Sequence, residues 1–364
     1  MTLALEDVTL VAGRDVHIHP TSLSLEPGTL NVLLGPTLAG KTSLMRLMAG
    51  LDRPTAGRVL WQGEDVTGIP VQKRNIAMVY QQFINYPAMT VYDNIASPLR
   101  LEGMSKAELD RKVQATAELM KLTPMLDRRP LELSGGQQQR TALARALVKG
   151  AGLVLLDEPL ANLDYKLREE LRSEIPRFFS QSGAIFVYAT TDPSEALLLG
   201  GKTATLSEGV VTQFDNTLDV YRRPMTAATA RVFSDPPMNF VSVAKAGGKL
   251  LFGEGQSASA HGMMATLKDG RYLAGFRPNH LRLEDGGGES DFLSFAVEVT
   301  VSEITGSESF VHVIHGEDRW VSLVHGVHEP DIGSTIKVHV SPEHLYVFDE
   351  HEQLVAAPEF AAAA

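Results

Sequence analysis

Apolar residues fall in short blocks along the first two thirds of the chain, and the blocks differ in period. Residues 30–34 and 153–156 are largely apolar runs bounded by turn residues, which is typical of strands buried on both faces of a parallel sheet. Residues 91–148 show helical spacing instead, with expected breaks at Pro98, Gly103, Pro124 and Pro130. We therefore expect an α/β core with an inserted helical subdomain at about residues 85–150.

The pattern changes near Pro236 and Pro237. Beyond them, short apolar runs separated by glycine-rich turns such as residues 286–288 predict strands, at 271–276, 281–284, 292–301, 310–315, 319–324 and 335–340. Runs of this kind are typical of a small β-rich domain. The predicted division is an α/β domain over residues 1–235 and a β-rich accessory domain over residues 236–364.

Composition excludes several classes of protein. A net charge of −11 argues against nucleic acid as the main partner, because phosphate contacts need clustered Lys and Arg. The chain has no cysteine, so disulfides and thiolate zinc sites are excluded. The first residues, MTLALEDVTL, lack a basic and then apolar leader, and no apolar stretch is long enough to span a bilayer. We expect other chains to hold this protein at any membrane it serves.

A glycine-containing loop follows the first apolar run and precedes a helical pattern. It matches G-x-x-x-x-G-K-[ST], and we name residues 35–43 the phosphate loop: Gly35, Pro36, Thr37, Leu38, Ala39, Gly40, Lys41, Thr42 and Ser43. In this context the backbone amides cradle phosphates, Lys41 reaches the β- and γ-phosphates, and the Thr42 hydroxyl binds Mg²⁺. The sequence therefore predicts a site for ATP and Mg²⁺.

Two acids stand at the end of the second apolar run. Asp157 is expected to hold the Mg²⁺ shell through water, and Glu158 to orient or deprotonate an attacking water. Taken alone, the pair is better explained as a solvated turn. The functional interpretation is preferred because the phosphate loop, Gln81 and a Ser-Gly-Gly turn occur along the chain in the order that an ATP site of this kind requires.

That turn opens a helix within the same stretch, residues 133–164. Ser134, Gly135 and Gly136 leave backbone N–H groups free, and helix N-termini of this kind bind anions. One stretch thus holds two phosphate-directed elements. They are most easily understood if they serve two different nucleotides.

These motifs together resemble one family. The set GPTLAGKT, VYQQF, LSGGQQQR, LLLDEP and ANLD looks like the ATP-binding subunit of an ABC transporter. PPMNF at 236–240 and GFRPNHLRL at 275–283 resemble the C-terminal accessory domain, OB-like in fold, of the maltose-type carbohydrate importers. The phosphate loop and the helix after it are most similar to bacterial glycerol importers. The resemblance implies a P-loop NTPase fold and an ATPase that powers uptake of a carbohydrate or polyol, with glycerol as the specific candidate.

The resemblance also implies roles and partners. Gln81 would sense Mg²⁺ and the γ-phosphate, and Asp164 would belong to the D-loop that crosses the seam of a dimer. The signature turn, which we define as Ser134, Gly135, Gly136 and Gln137, would contact the nucleotide of an opposing ATP-binding subunit. Two transmembrane permeases and an extracytoplasmic solute-binding protein would complete an importer, with this chain on the cytoplasmic face of the inner membrane.

Three positions depart from the family pattern. Thr191 stands where the family has a histidine near the γ-phosphate, Ala12 stands where an aromatic stacks on adenine, and Leu38 replaces a glycine. One interpretation is tolerated drift, with His17 or His19 near the base. The other is a site that binds ATP but hydrolyses it slowly, in a chain paired with a different ATPase subunit.

The sequence is compatible with further functions. Polyamine or ferric-ion import is the runner-up within the class. A soluble ABC protein of DNA repair or translation, and a structural pseudo-ATPase, are the candidates outside it. In the accessory domain, Arg277 and His280 either bind an anion or serve only the structure.

Overall fold

The computed structural model describes residues 2–101, 103–161, 163–252, 256–283 and 292–359. The chain divides into two compact units, Met1–Thr217 and Leu218–Ala364. Within the described ranges, no helix has the length and apolar character that crossing a membrane requires.

The first unit alternates strands and helices, as the sequence predicts. Its strands are β1 (Leu3–Ala12), β2 (Asp15–Leu25), β3 (Leu30–Leu34), β4 (Ala56–Trp61), β5 (Glu64–Asp65), β6 (Ile76–Val79), β7 (Leu153–Asp157), β8 (Ile185–Thr190), β9 (Lys202–Ser207) and β10 (Val210–Asn216). Its helices are α1 (Lys41–Ala49), α2 (Val91–Leu101), α3 (Lys106–Leu119), α4 (Gly135–Val148), α5 (Tyr165–Ser182) and α6 (Pro193–Leu199).

A mixed six-stranded sheet carries the site, in the order β10-β9-β3-β8-β7-β6. The pairs from β9 to β6 are parallel, and β10 runs antiparallel to β9. Every residue of β3 and β7 is buried, which confirms the two apolar runs as interior strands. Because the strands are parallel, the phosphate loop and Asp157 emerge at the same edge of the sheet.

An antiparallel sheet, β2-β1-β4-β5, completes the core of this unit. One cluster of buried side chains joins Leu5 and Ile18 of this sheet to Leu44 of α1 and to Leu155 and Val187 of the mixed sheet. Helix α1 therefore packs between the two sheets. This packing fixes the start of α1, and with it the phosphate loop.

The inserted helical segment comprises α2, α3 and α4, within the range expected from the sequence. The expected break at Pro98 is wrong, since α2 continues through this residue to Leu101. Proline lacks the N–H that would bond to the carbonyl of Asn94, and the Ser97 hydroxyl donates to that carbonyl instead, at 2.8 Å. Gly103 lies between α2 and α3, and the other two prolines lie in short 3-10 turns between α3 and α4.

The second unit is β-rich, as predicted. After α7 (Thr217–Arg222) and α8 (Ala227–Val232) come β11 (Asn239–Ala246), β12 (Lys249–Phe252), β13 (Ser257–Ser259), β14 (Gly270–Phe276), β15 (Leu293–Ile304), β16 (Glu308–His315), β17 (Asp318–His325), β18 (Thr335–Val340), β19 (Tyr346–Phe348) and β20 (Leu354–Ala356). They form two sheets, β13-β12-β11-β14-β19-β20 and β17-β16-β15-β18, around a shared apolar core.

Two sequence-based expectations differ from this unit. The compact units meet at 217/218 rather than at 235/236, because Ala227 and Ala230 of α8 are buried against Met238 and Phe348. The run at 281–284 forms no strand in its described part, where Arg282 makes a single bridge to His339. Residue 284 and the glycines at 286–288 lie outside the described residues.

Candidate functional site

The phosphate loop turns sharply between β3 and α1. Gly40 precedes the helix with φ of +102°, and a Cβ at this residue would lie 2.9 Å from Ile18 Cδ1. Leu38 has φ of +69° and is 96% exposed. Glycine suits both conformations, whereas a leucine in the left-handed region carries steric strain. The loop therefore has the expected shape and carries one strained, solvated side chain.

Lys41 is buried under this loop. Its Nζ donates to the carbonyl oxygens of Gly35 at 2.7 Å and Pro36 at 3.0 Å, and lies 3.8 Å from Glu158 Oε1. Burial lowers the pKa of Lys41, while the carboxylates of Glu158 and Asp157 oppose this change. The ammonium group therefore lies where it could contact a negatively charged ligand bound in the phosphate loop.

Asp157 ends β7 directly opposite the start of α1. Its Oδ2 accepts a hydrogen bond of 2.7 Å from the Thr42 hydroxyl. Burial raises the pKa of Asp157, and the bond from Thr42 and the charge of Lys41 act against it. A hydroxyl and a carboxylate in contact are the hard oxygen ligands that Mg²⁺ prefers. The residues present therefore fit this ion.

Glu158 follows at once and faces the same space. Gln81 Nε2 donates to Glu158 Oε2 at 3.0 Å, so residues from the ends of β6 and β7 meet. Glu158 has φ of +46°, and its N–H bonds to the carbonyl of Ala189 on β8 at 3.0 Å. A non-glycine residue in this region is strained, and such strain concentrates at functional sites.

The signature turn belongs to a different element. Ser134 Oγ accepts from the Gln137 N–H, and Gln137 Oε1 accepts from the Ser134 N–H, which makes a capping box at the start of α4. Ser134 and Gly135 are exposed. Asp164 lies just before α5. The structure thus gathers Lys41, Thr42, Gln81, Asp157 and Glu158, and presents the signature turn on a helix of its own.

The departures from the family pattern at Thr191 and Ala12 lie on two different elements. Thr191 is exposed and directly follows β8, whereas Thr190 before it is buried. Ala12 is exposed at the tip of the β1–β2 hairpin, opposite Asp15. His17 and His19 are exposed on β2.

Sequence reasoning missed several residues that shape the site. Buried Gln139 donates through Nε2 to the carbonyl of Pro159 at 2.7 Å, which ties α4 to the turn after Glu158. Asn85 Nδ2 donates to the carbonyl of Gln138 at 2.8 Å. Arg172 of α5 contacts three carboxylates near β8. The available signals were the repeated glutamines after Gly136 and the alternation of charge along α5.

A cleft of about 360 Å³ opens beside Gln81. It lies between β6, α2 and α4, and its lining includes Tyr80, Ile84, Tyr86, Pro98, Leu101 and Arg145. Ile84, Tyr86 and Leu101 are exposed apolar residues. An open apolar cleft of this kind suits an apolar partner segment.

Arg277 and His280 of the second unit contact neighbouring protein groups. Arg277 is buried, donates to the carbonyls of Phe233 and Tyr221 at 2.8 Å each, and stacks over the Tyr221 ring. His280 stacks on His344, and burial, with the charge of His344, lowers the pKa of His280 to about 4. A histidine held neutral and an arginine engaged by carbonyls favour the structural interpretation of both.

Sequence profiles of two families match the chain. The ABC transporter profile covers residues 18–161, and the TOBE domain profile covers residues 274–348. The chain is 34% identical to the uncharacterized ABC transporter ATP-binding protein YurJ of Bacillus subtilis, over 97% of this chain and 99% of the relative. It is 36% identical to the sn-glycerol-3-phosphate import ATP-binding protein UgpC of Chromobacterium violaceum, over 92% and 90%. It is 35% identical to the trehalose/maltose import ATP-binding protein MalK of Thermococcus litoralis, over 95% and 97%.

Solved structures agree with these relatives. The ATP-binding cassette MJ0796, in a dimeric post-hydrolysis state bound to ADP and Pi, is similar with a TM-score of 0.55 and 26% identity, over 59% of this chain and 98% of the cassette. The match supports the P-loop fold of the first unit, and the TOBE profile accounts for the β-rich second unit. The chain belongs to the ABC transporter family, as one of its ATP-binding ATPases.

Proposed function

We propose that this chain is the subunit that hydrolyses ATP to drive an ABC importer. The meeting of Lys41, Thr42, Gln81, Asp157 and Glu158 at one edge of the sheet carries this proposal. The relatives named as import ATP-binding proteins support import rather than a role in DNA repair or translation.

Each residue has a distinct task in this proposal. The amides of the phosphate loop and Lys41 would hold the phosphates, and Thr42, Gln81 and Asp157 would hold Mg²⁺. When bound, Mg²⁺ would neutralise part of the negative charge on the phosphate oxygens. Glu158 accepts the proton of the attacking water, since its carboxylate lies beside Lys41 and Gln81.

A second ATP-binding subunit completes each site. The signature turn is exposed at a helix N-terminus, where backbone N–H groups attract phosphate. We assign it to the nucleotide of an opposing subunit, reached across a seam that also includes Asp164. The dimeric state of the similar cassette supports this arrangement.

The identity of that subunit has two candidates. A second copy of this chain is the simpler one, and the relatives give no support to a different ATPase. Thr191 and Ala12 favour the second candidate, a mixed pair in which this chain's own site is slow. Co-purification from the native source decides between them, because a mixed pair brings a second ATP-binding chain and a pair of copies does not.

The cleft beside Gln81 is the proposed docking site for a helix of each permease. Its exposed apolar lining suits a helix end, and Gln81, the residue after the lining Tyr80, donates to Glu158. Closure of two subunits around ATP would then move the permeases. This role places the chain on the cytoplasmic face of the inner membrane, with a solute-binding protein on the other side.

The transported solute is proposed to be a carbohydrate or polyol, with glycerol as the specific candidate. Relatives named for sn-glycerol-3-phosphate and for trehalose/maltose support this class. The test is uptake by vesicles containing the co-purified complex and internal ATP. Uptake of glycerol, glycerol 3-phosphate or a sugar supports the proposal, whereas uptake of only a polyamine or ferric ion contradicts the class.

A further inference from the structure

Arg172 is the centre of a charged cluster on α5. Its guanidinium contacts Glu169 at 2.8 Å, Asp192 at 3.0 Å and Glu195 at 3.3 Å. The Arg172 side chain is only 11% exposed, and that of Glu195 only 9%. A buried carboxylate needs a charged partner to offset its lost hydration. Removal of Arg172 would therefore leave the buried carboxylate of Glu195 without its charged partner.

Two of these carboxylates fix the segment after β8. Glu195 Oε2 accepts a hydrogen bond of 2.5 Å from the Thr190 hydroxyl, and that hydroxyl accepts from the Asp192 N–H at 3.0 Å. Asp192 Oδ1 also caps α6 by accepting from the N–H groups of Ser194 and Glu195. Residues 190–192 are thus bound to Arg172 through side chains on both sides of Thr191.

The same segment touches the ATP site through its backbone. The Gly35 N–H, at the start of the phosphate loop, donates to the Thr190 carbonyl at 3.3 Å. The Glu158 N–H donates to the carbonyl of Ala189, one residue earlier, at 3.0 Å. A shift of residues 189–192 would therefore move the phosphate loop, Glu158 or both.

The start of α5 is bound to the D-loop by a second arginine. Arg168 lies one helical turn before Arg172, so the two side chains share a face of α5. Arg168 donates to the carbonyls of Ala161 and Leu163, each at 3.3 Å. Helix α5 therefore holds the loop before Asp164 with one arginine and the end of β8 with the next.

We propose that Arg172 is a positioning residue of the ATPase, which keeps residues 190–192 in register with α5 and so links the D-loop to Glu158 and the phosphate loop. A fork of N–H donors suits this task, because it bonds two carboxylates at once. The inference rests on the proposed ATP hydrolysis, and Arg172 is not among the residues to which that proposal gives a contact with ATP.

The test compares four variants of the full chain in its complex. Arg172→Met removes the fork, Arg172→Lys keeps the charge, and Asp192→Asn removes one charged arm while retaining the oxygen that caps α6. Arg58→Met is the matched control, since it breaks an exposed pair with Glu6 at 2.7 Å on another sheet. For each variant, kcat and KM for ATP are measured, together with exchange of the backbone amides of residues 192, 194 and 195 without nucleotide.

Loss of positioning predicts a separation of the two kinetic constants. Arg172→Met and Asp192→Asn are expected to lower kcat about 10-fold with KM changed less than about twofold, because a misplaced group loses rate more than binding. Their amides at residues 192, 194 and 195 should exchange faster, Arg172→Lys should be intermediate, and the control should match the wild type.

Two results would overturn the inference. One is wild-type kcat in Asp192→Asn, which applies even if Arg172→Met fails to fold. The other is unchanged exchange of the amides of residues 192, 194 and 195. This exchange is measured without nucleotide, so it separates failure of this inference from failure of the ATPase proposal.

Discussion

The side-chain amide of Gln81 donates a hydrogen bond of 3.0 Å to the carboxylate of Glu158. Gln81 directly follows Tyr80, which lines the apolar cleft, and Glu158 lies 3.8 Å from Lys41 in the candidate ATP site. One hydrogen bond therefore joins the surface where a membrane subunit is proposed to dock to the acid that is proposed to activate water. A movement of Gln81 would therefore shift Glu158, and a movement of Glu158 would shift Gln81.

Leu38→Gly is expected to stabilise the nucleotide-free chain. The leucine is in the left-handed region and almost fully exposed, so its removal relieves strain and costs little packing. After allowing for the greater flexibility of glycine in the unfolded chain, the gain should be about 0.5–1 kcal/mol. Chemical unfolding of the first unit measures it.

Leu131→Gly is the matched control for that substitution. Leu131 is 86% exposed as well, but it lies in a 3-10 helix at Pro130–Glu132. Glycine should lower stability there, because no strain is relieved. Equal effects of the two substitutions would contradict the strain assigned to Leu38.

Thr191→His should raise the rate of ATP hydrolysis. Imidazole reaches further than a threonine hydroxyl and can carry a positive charge beside a phosphate. We expect kcat to rise about 10-fold, which is less than the roughly 100-fold at the lower end of the effect of a positioned acid–base group. Phosphate release under saturating ATP measures it.

A remote substitution controls for the added imidazole. Thr335→His places the same group at the exposed start of β18 in the second unit. It should leave hydrolysis unchanged. If Thr191→His also leaves it unchanged, Thr191 is tolerated drift and this chain's own site is not limited there.

Ala12→Tyr should strengthen ATP binding. The exposed tip of the β1–β2 hairpin then presents an aromatic ring to the base, and one base–aromatic stack is worth about 1–3 kcal/mol. The dissociation constant for ATP should fall about 10-fold. Tripolyphosphate is the control ligand, because it lacks a base and its affinity should not change. Equal gains for both ligands would show that the tyrosine acts on the phosphates or on the fold.

The second unit should lose stability in mild acid. His280 has its pKa lowered from 6.5 to about 4, by burial first and then by the charges of His344, Arg277 and Arg282. The pKa of His344 is also lowered, by burial and Arg282, with Glu343 acting against them. The histidines of the unfolded chain therefore become protonated below about pH 6.5, whereas His280 of the folded chain stays neutral until about pH 4. The free energy of unfolding falls as the pH falls through this window.

His280→Gln removes part of that dependence. The loss between pH 7 and pH 4.5 should shrink by about 1 kcal/mol, a figure reduced for solvent screening of a partly exposed group. Unfolding followed by Trp320 fluorescence in a Trp61→Phe background reports the second unit. His351→Gln, at an exposed histidine, should keep the full pH dependence. An unaltered pH dependence in His280→Gln would show that other groups cause it.

Much of the ATP site was predictable, because its parts are local in sequence. The phosphate loop needs only a strand, a turn and a helix in succession, and Asp157 and Glu158 follow one buried strand. Parallel strands then bring both to the same edge without further information. The division into an α/β unit and a β-rich unit was predictable for a similar reason, since each has its own apolar period.

The remainder depends on contacts between distant residues. In the sequence, Arg172 is one charged residue among many on α5. Its contacts with Asp192 and Glu195 arise only when α5 packs against α6. Pro98 predicts a helix break from the sequence. In the structure the helix continues, because the Ser97 hydroxyl donates to the carbonyl that the proline leaves without its N–H. The division into compact units at 217/218 depends on α8, which packs on strands more than a hundred residues later.

The hydrolytic role of Glu158 is the claim on which the account of this chain depends. Glu158→Gln keeps the size of the side chain and an oxygen that can accept from Gln81, but it removes the base. ATP turnover and ATP binding should be measured together on the full chain with its membrane subunits, with Glu64→Gln as an exposed control. The account predicts that Glu158→Gln loses at least about 100-fold in turnover and still binds ATP, whereas wild-type turnover in this variant would contradict it.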